Sequence, residues 1–452
     1  GGAVAADPAA RTPPGTMNRR LALLLGGGLG LALLQQQLLL RRPPRLLELR
    51  SSATSSGPAA LDLLFSRPMA RPSLAASSRL NPPRSHQWLG EGNPLRLLLT
   101  GTQPIQGPIE LLIRGLDRRG LPLRPQRWRW DPRPWLLVVA PVGHGEQLQV
   151  QRRDGRWLPL TPVLSRISTL RPLGDGSGVA LVSGERLWLL PLQQGALRPL
   201  ASNGASRADP QPGQLRPLLP EPLLFAHLSS NRRGDLLAQW SSRALGRAST
   251  SLWPRSGGEQ RLVLEASGPM QLLPEGGGLV VPELEGLSLR NLPGRPPRRQ
   301  LLPGSRDLSS FCPLSGRALL VRHWPDYRRS LELVEPGQPP RQLWLGEDAV
   351  LGTACDRAGE RSWLLLSDWR SKSSTQLLEL SRSGAVLRRR SLSGWEAEPG
   401  SPLLYDPTGQ QLLLTLRAQG SKDAQPVLIE AGSLQLRPIP KAVRQALWLA
   451  AG

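Results

Sequence analysis

Apolar residues in this chain come in short runs, mostly Leu with some Val, Ile and Trp, and each run is closed by Gly, Pro, Asn or Asp. Runs of that length cut by turn residues predict β-strands; an amphipathic helix needs a longer pattern recurring every ~3.6 residues. Between residues 61 and 131 the runs are "LDLLF" (61–65), "HQWLG" (86–90), "PLRLLLT" (94–100), "PIELLIRGLDRRGLPL" (108–123) and "RWRWD" (127–131). Ser66-Arg67-Pro68-Met69 turns the first run, Pro82-Pro83 breaks the chain again, and Gly120 closes a tight turn. These features predict a small β-sandwich over 61–131.

From about residue 170 the pattern repeats. A turn ending in Gly leads into an apolar strand, then a second strand, a Gly or Pro turn and a third strand. The marker glycines are Gly178, Gly234, Gly277, Gly316, Gly359 and Gly409, spaced 56, 43, 39, 43 and 50 residues apart. Several strands per unit at this period predict the blades of a β-propeller. Residues 131–160 read as a further blade, with Pro134 standing 44 residues before Gly178. The segment "RQALWLA" (444–450) can supply that blade's missing inner strand and close the ring, so seven blades are preferred to six.

Two resemblances follow from these residues. The 61–131 stretch resembles the bacterial SbsA-type Ig-like domain at Phe65, Ser66, Pro68, Met69, Asp117, Gly120 and Leu123, although it ends on Trp130-Asp131 where that family usually closes on Phe-x-Thr. The resemblance implies an exported protein of the cell envelope, with Phe65 and Met69 packed inside the sandwich. Residues 132–452 resemble a TolB-like propeller, through turns such as Asp406-Pro407-x-Gly409 before an apolar strand. The expected fold class is therefore all-β: a small Ig-like β-sandwich plus a β-propeller, preceded by an N-terminal hydrophobic helix.

That helix is read from "MNRRLALLLGGGLGLALLQQQLLLRRPP", which starts at Met17. Arg19 and Arg20 precede a run of Leu, Ala and Gly from Leu21 to Leu34, the length of a signal-peptide core and shorter than the ~20 residues of a membrane span. Residues 17–40 are thus expected to be a signal peptide or membrane anchor. Residues 41–60, rich in Arg, Pro, Ser and Ala, are read as a linker. Residues 1–16 are read as a disordered lead or a start-site artefact.

Net charge is +23, and since only Lys372, Lys422 and Lys441 are lysines, 54 of the 57 basic residues are Arg. They are scattered, with no run beyond three, which points away from specific nucleic-acid binding and leaves a salt-sensitive affinity for polyanions open. Cys312 and Cys355 each lie four residues before a marker glycine. Equivalent positions in neighbouring blades are expected to lie beyond disulfide reach, so two buried free thiols are predicted. His86, His144, His227 and His323 share no metal-ligand spacing, there is no Gly-x-Ser-x-Gly elbow, and the glycine loop "GDGSG" (174–178) falls at a hairpin. Trp128, Trp130 and Trp135 cluster at the domain junction, where packing is favoured over a carbohydrate platform.

No catalytic, metal or cofactor site is read, and no cofactor is expected. The expected function is that of a monomeric, non-enzymatic envelope protein, touching the membrane through its N-terminal segment and binding a protein or peptide at a propeller face. The alternatives are a propeller-type hydrolase acting on glycans or phosphate esters, which requires charged groups converging at one end of the channel, and polyanion binding by the Arg-rich surface.

Overall fold

The structure is a computed structural model, and it describes residues 19–52, 57–193, 209–244, 246, 248–313, 316–368 and 375–451. The expectation for residues 1–16 lies outside them. The first element is α1 (Arg19–Arg41). Among the described residues no helix is long and apolar enough to cross a membrane.

Two antiparallel sheets follow. One runs in the order β1 (Leu46–Ser52), β2 (Ala60–Phe65), β5 (Leu95–Leu99), β4 (His86–Leu89); the other is β3 (Arg79–Asn81), β6 (Ile109–Ile113), β7 (Gln126–Trp130). A short helix, α2 (Arg71–Ser77), buries Leu74 against them. Alternation decides which residues meet. Leu61, Leu63 and Phe65 of β2 point inward with Leu95, Leu97 and Leu99 of β5, and Ile109, Leu111 and Ile113 of β6 close the core from the other sheet. Burying each such side chain stabilises the fold by about 1.5–3 kcal/mol. Phe65 and Met69 are both 1% exposed. Met69 bridges to Asp117, whose carboxylate accepts from the N–H groups of Arg119 (2.9 Å) and Leu121 (2.8 Å). The two sequence features that carried the resemblance therefore touch: the turn after Phe65 is held by the turn around Gly120.

The linker expectation for 41–60 is corrected. Within that stretch β1 pairs antiparallel with β2, from Leu46 opposite Phe65 to Ser52 opposite Ala60. Leu46 and Leu49 reach the core, and this apolar pair outweighs the polar composition around it.

Among the described residues seven further sheets follow in chain order, which makes the rest of the described chain a β-propeller. Its first blade comprises β8 (Trp135–Val142), β9 (Gly145–Gln151) and β10 (Trp157–Pro159), and the closing strand Gln445–Leu449 pairs along β8, from Trp135–Leu449 to Val139–Gln445. The first strands of later blades include Ile167–Pro172, Leu223–Ser230, Arg306–Phe311, Ala349–Cys355 and Leu404–Asp406. First strands of most successive blades touch one another, so they ring the axis. Second strands such as Gly178–Ser183 and Leu236–Ser242 are buried along their whole length, and their apolar side chains join neighbouring blades: Leu137 with Leu170, Leu319 with Leu364, Trp363 with Leu414, Val138 with Leu428. Six marker glycines fall in or beside the turn between first and second strands. Gly234 (φ 81°) and Gly359 (φ 66°) need the left-handed backbone that glycine adopts without strain.

The free-thiol expectation is overturned. Cys312 and Cys355 form a disulfide with Cα atoms 5.1 Å apart. Equivalent positions in neighbouring blades are far apart at the rim but converge at the axis, and these two cysteines lie at the ends of adjacent first strands. Two residues earlier on the same strands, Ser310 and Thr353 hydroxyls meet at 2.7 Å.

Candidate functional site at the propeller mouth

The small domain sits over the end of the ring where first strands turn into second strands. Ile105 N–H donates to the Thr408 carbonyl (2.9 Å), while the Pro58 carbonyl accepts from Thr408 Oγ1 (3.2 Å) and Arg357 Nη2 (3.1 Å). At the covalent junction Asp131 pairs with Arg133 (2.6 Å) and Arg153 (3.2 Å). Burial pushes the Asp131 carboxyl up, but the two guanidiniums outweigh it and hold it below the usual carboxylate range. Trp130 and Trp135 are buried here, with Arg153 stacked 4.0 Å from the Trp135 ring, so packing is their use.

Between domain and ring lies a cavity of about 1290 Å³. One wall is β1: its six consecutive residues Leu47 to Ser52 line the space. Alternate residues of a strand point to opposite sides, so six in a row can border one space only if the strand presents its edge. That edge is free, since among the described residues the only strand paired with β1 is β2. An edge of this kind carries N–H and C=O groups without ladder partners.

The opposite wall is the mouth of the ring, where Arg171, Arg232 and Arg357 converge with Asp175, Tyr405 and Asp406. Arg171 ends the first strand of its blade and also lines a deeper cavity of about 270 Å³, beside Cys355 and Tyr405. It is surrounded by protein yet keeps accessible surface, because it faces these cavities instead of bulk solvent. Its Nε donates to the Leu228 carbonyl at 3.2 Å, and burial lowers its pKa. Arg232 and Arg357 occupy one repeat position, two residues before the marker glycines Gly234 and Gly359. Burial, then the nearby Arg232 charge, lowers Arg357 to about 10. Arg232 has Glu275 at 3.5 Å, whereas Arg171 and Arg357 donate to carbonyls and no carboxylate lies within ion-pair distance of either among the described residues.

The carboxylates are otherwise engaged. Asp406 accepts from Thr408 N (2.8 Å) and Gly409 N (2.8 Å), and its burial raises the carboxyl to about 6 against these bonds and the opposing charge of Arg357. Asp175 accepts from Ser177 N (3.0 Å) and Ser177 Oγ (2.7 Å), fixing the hairpin at 174–178, and pairs with Arg255. Three buried N–H groups on lining residues, Trp128 Nε1, Trp448 Nε1 and Arg357 Nε, find no acceptor among the described residues. The wall therefore carries positive charge at Arg171, Arg232 and Arg357, while its carboxylates are bound elsewhere. Among the described residues no group of three or more His, Cys, Asp or Glu could hold a metal; His323 pairs with Asp307 at 2.7 Å.

Sequence reading missed this cluster because its members are dispersed along the chain. The available signal was register: aligning the repeats on their glycines puts Arg232 and Arg357 at one position.

Fold and site together define a class: a seven-bladed β-propeller with a small β domain over a cationic mouth. No family model matches the chain, and no curated protein matches it. Similar solved structures include an oligogalacturonate lyase in complex with manganese, at 12% identity and a TM-score of 0.46, covering 85% of this chain and 97% of the other. A candidate 6-phosphogluconolactonase from Bacteroides fragilis is 13% identical with a TM-score of 0.45, covering 70% of this chain and 98% of its own. TolB from Acinetobacter baumannii is 13% identical with a TM-score of 0.37, covering 83% and 84%. The fold assignment rests on the strand order described above.

Proposed function

We propose that this is an exported binding protein of the bacterial cell envelope, in which an SbsA-type Ig-like domain and a TolB-like propeller jointly receive an extended segment of another protein. The observation that carries this reading is the free β1 edge bordering the mouth cavity, since an extended chain can add to such an edge by main-chain hydrogen bonds. The Cys312–Cys355 disulfide supports export, because such bonds persist in oxidising compartments. The 17–40 segment supplies the export signal or anchor, and the protein works as a monomer without a cofactor.

The test is a photo-crosslinker placed at Leu47, which is 60% exposed on β1, in the full-length protein in its own envelope. A discrete crosslinked polypeptide at Leu47, absent with the crosslinker at the fully exposed Val263, is the expected outcome. Equal labelling at both positions, or none at Leu47, contradicts the reading.

One observation favours a second reading, a hydrolase of glycans or phosphate esters: charged groups do converge at one end of the channel. Its weakness is that Asp175 and Asp406 are both committed to turn hydrogen bonds. Turnover of chromogenic phosphate or glycoside esters that Arg357→Gln abolishes would establish it.

A further inference from the structure

Resting on that reading, we infer that the segment received at the mouth is acidic: its carboxylates meet Arg171, Arg232 and Arg357 while its backbone pairs with the β1 edge. Two independent features of the cavity select this ligand. The first is charge. Arg171 and Arg357 face the cavity without an ion-pair partner among the described residues, and Arg232 has only a carboxylate at 3.5 Å on the exposed Glu275. A guanidinium offers five N–H donors in a planar fork that matches a carboxylate. Like charges gathered in a recess repel one another, and burial of Arg232 and Arg357 together is disfavoured until an anion arrives. The second feature is the strand edge. An acidic sugar or free phosphate could neutralise the arginines, but neither can complete a ladder along Leu47–Ser52. A peptide does both.

The acidic side chains need not come from this chain. Of the carboxylates lining the cavity, Glu48 pairs with Arg50, Asp175 with Arg255, and Asp406 is bound into its turn. Among the described residues none of these is left to pair with Arg171 or Arg357.

The test uses the full-length protein and hexaglutamate as probe, with hexaglutamine as its uncharged match, an oligomer of uronic acid as the saccharide control and inorganic phosphate as the bare anion. Hexaglutamate is expected to bind and hexaglutamine not to. Arg171→Gln and Arg357→Gln are each expected to weaken hexaglutamate by about tenfold or more, the loss for a charge-assisted hydrogen bond. Arg389→Gln removes the same charge from an exposed outer strand and is expected to leave affinity within about twofold. Hydrogen exchange at residues 46–52 is expected to slow with hexaglutamate and to be unchanged by phosphate. Equal weakening by all three substitutions would reduce the effect to general polyanion attraction and overturn the inference. Tighter binding of the uronic-acid oligomer without slowed exchange in β1 would assign the site to a saccharide and overturn it as well. A Leu47 crosslink to a polypeptide, combined with hexaglutamate affinity that ignores Arg171 and Arg357, would keep the peptide-binding reading and reject only its acidic class.

Discussion

The arginines on the blades and those at the mouth live under opposite conditions. On the blades several buried carboxylates are shared between arginines. Glu332 lies 2.7 Å from Arg306 and 3.7 Å from Arg322; Glu379, with no exposed side-chain surface, lies 2.6 Å from Arg388 and 3.7 Å from Arg361; Glu335 serves Arg317, Arg341 and Arg382. At the mouth, Arg171 and Arg357 donate to carbonyls and have no carboxylate within ion-pair distance among the described residues. The same residue type is thus ion-paired in one place and, in the other, held by hydrogen bonds to carbonyls with no carboxylate beside it. Net charge alone does not distinguish these conditions, because what matters is where the 34 acidic residues went. Pairing on the blades makes their arginines costly to disturb, whereas the charge of the mouth arginines has no adjacent carboxylate to offset it.

The largest test of this contrast loosens the frame that positions Arg357. Cys355 is two residues away and is tied to Cys312 across a 43-residue separation. Closing a loop of that size contributes about 4 kcal/mol by chain entropy. Reduction, or Cys312→Ser with Cys355→Ser, is expected to lower stability by about that amount in denaturant unfolding. An unchanged transition midpoint would mean that the blades on either side are held without the bond.

Next in size is the blade side of the comparison. Glu379→Gln leaves Arg361 and Arg388 facing a neutral amide inside the sheet. Removing one partner of a fully buried pair costs about 3–5 kcal/mol; both arginines are partly exposed, so about 2 kcal/mol is expected here. The matching mouth substitution, Arg357→Gln, relieves a buried charge near Arg232 but also removes the hydrogen bond to the Pro58 carbonyl, so it is expected to destabilise by less than about 1 kcal/mol. If both substitutions destabilise equally, the mouth arginines are structural and the contrast fails.

Much of the propeller was legible because its signal is periodic. The glycine turns and the apolar second strands recur, and the last strand, Gln445–Leu449, was visible as an orphan apolar run needing a partner. The Phe65–Met69 turn was legible for a different reason: its residues are uncommon in this chain and both are buried. What escaped was long-range. The β1 strand was hidden by the Arg, Pro and Ser around it, though Leu46 and Leu49 were there to be read. The disulfide required knowing how closely first strands converge at the axis. Arg171, Arg232 and Arg357 are 61 or more residues apart in sequence, and only ring closure brings them to one cavity.

The smallest effect sharpens the comparison through protons. Asp406 lies at the mouth with Arg357 and Arg153 as opposing charges, and burial raises its carboxyl to about 6. Below that value it is neutral and the mouth is at its most positive; above it, one negative charge appears beside the arginines. The glutamate side chains of an acidic probe, with ordinary pKa near 4.3, stay largely ionised down to about pH 5. Affinity for hexaglutamate is therefore expected to fall a few fold as pH rises from about 5 to about 7, since one full charge interaction is spread over a partly solvated cavity. By linkage, binding of the acid raises the Asp406 pKa further, so complex formation near pH 6 takes up a fraction of a proton. Calorimetry in two buffers of different ionisation enthalpy reads that uptake directly. Proton release, or affinity that rises with pH across this window, would show that Asp406 does not face the bound acid and would separate its turn from the arginine cluster.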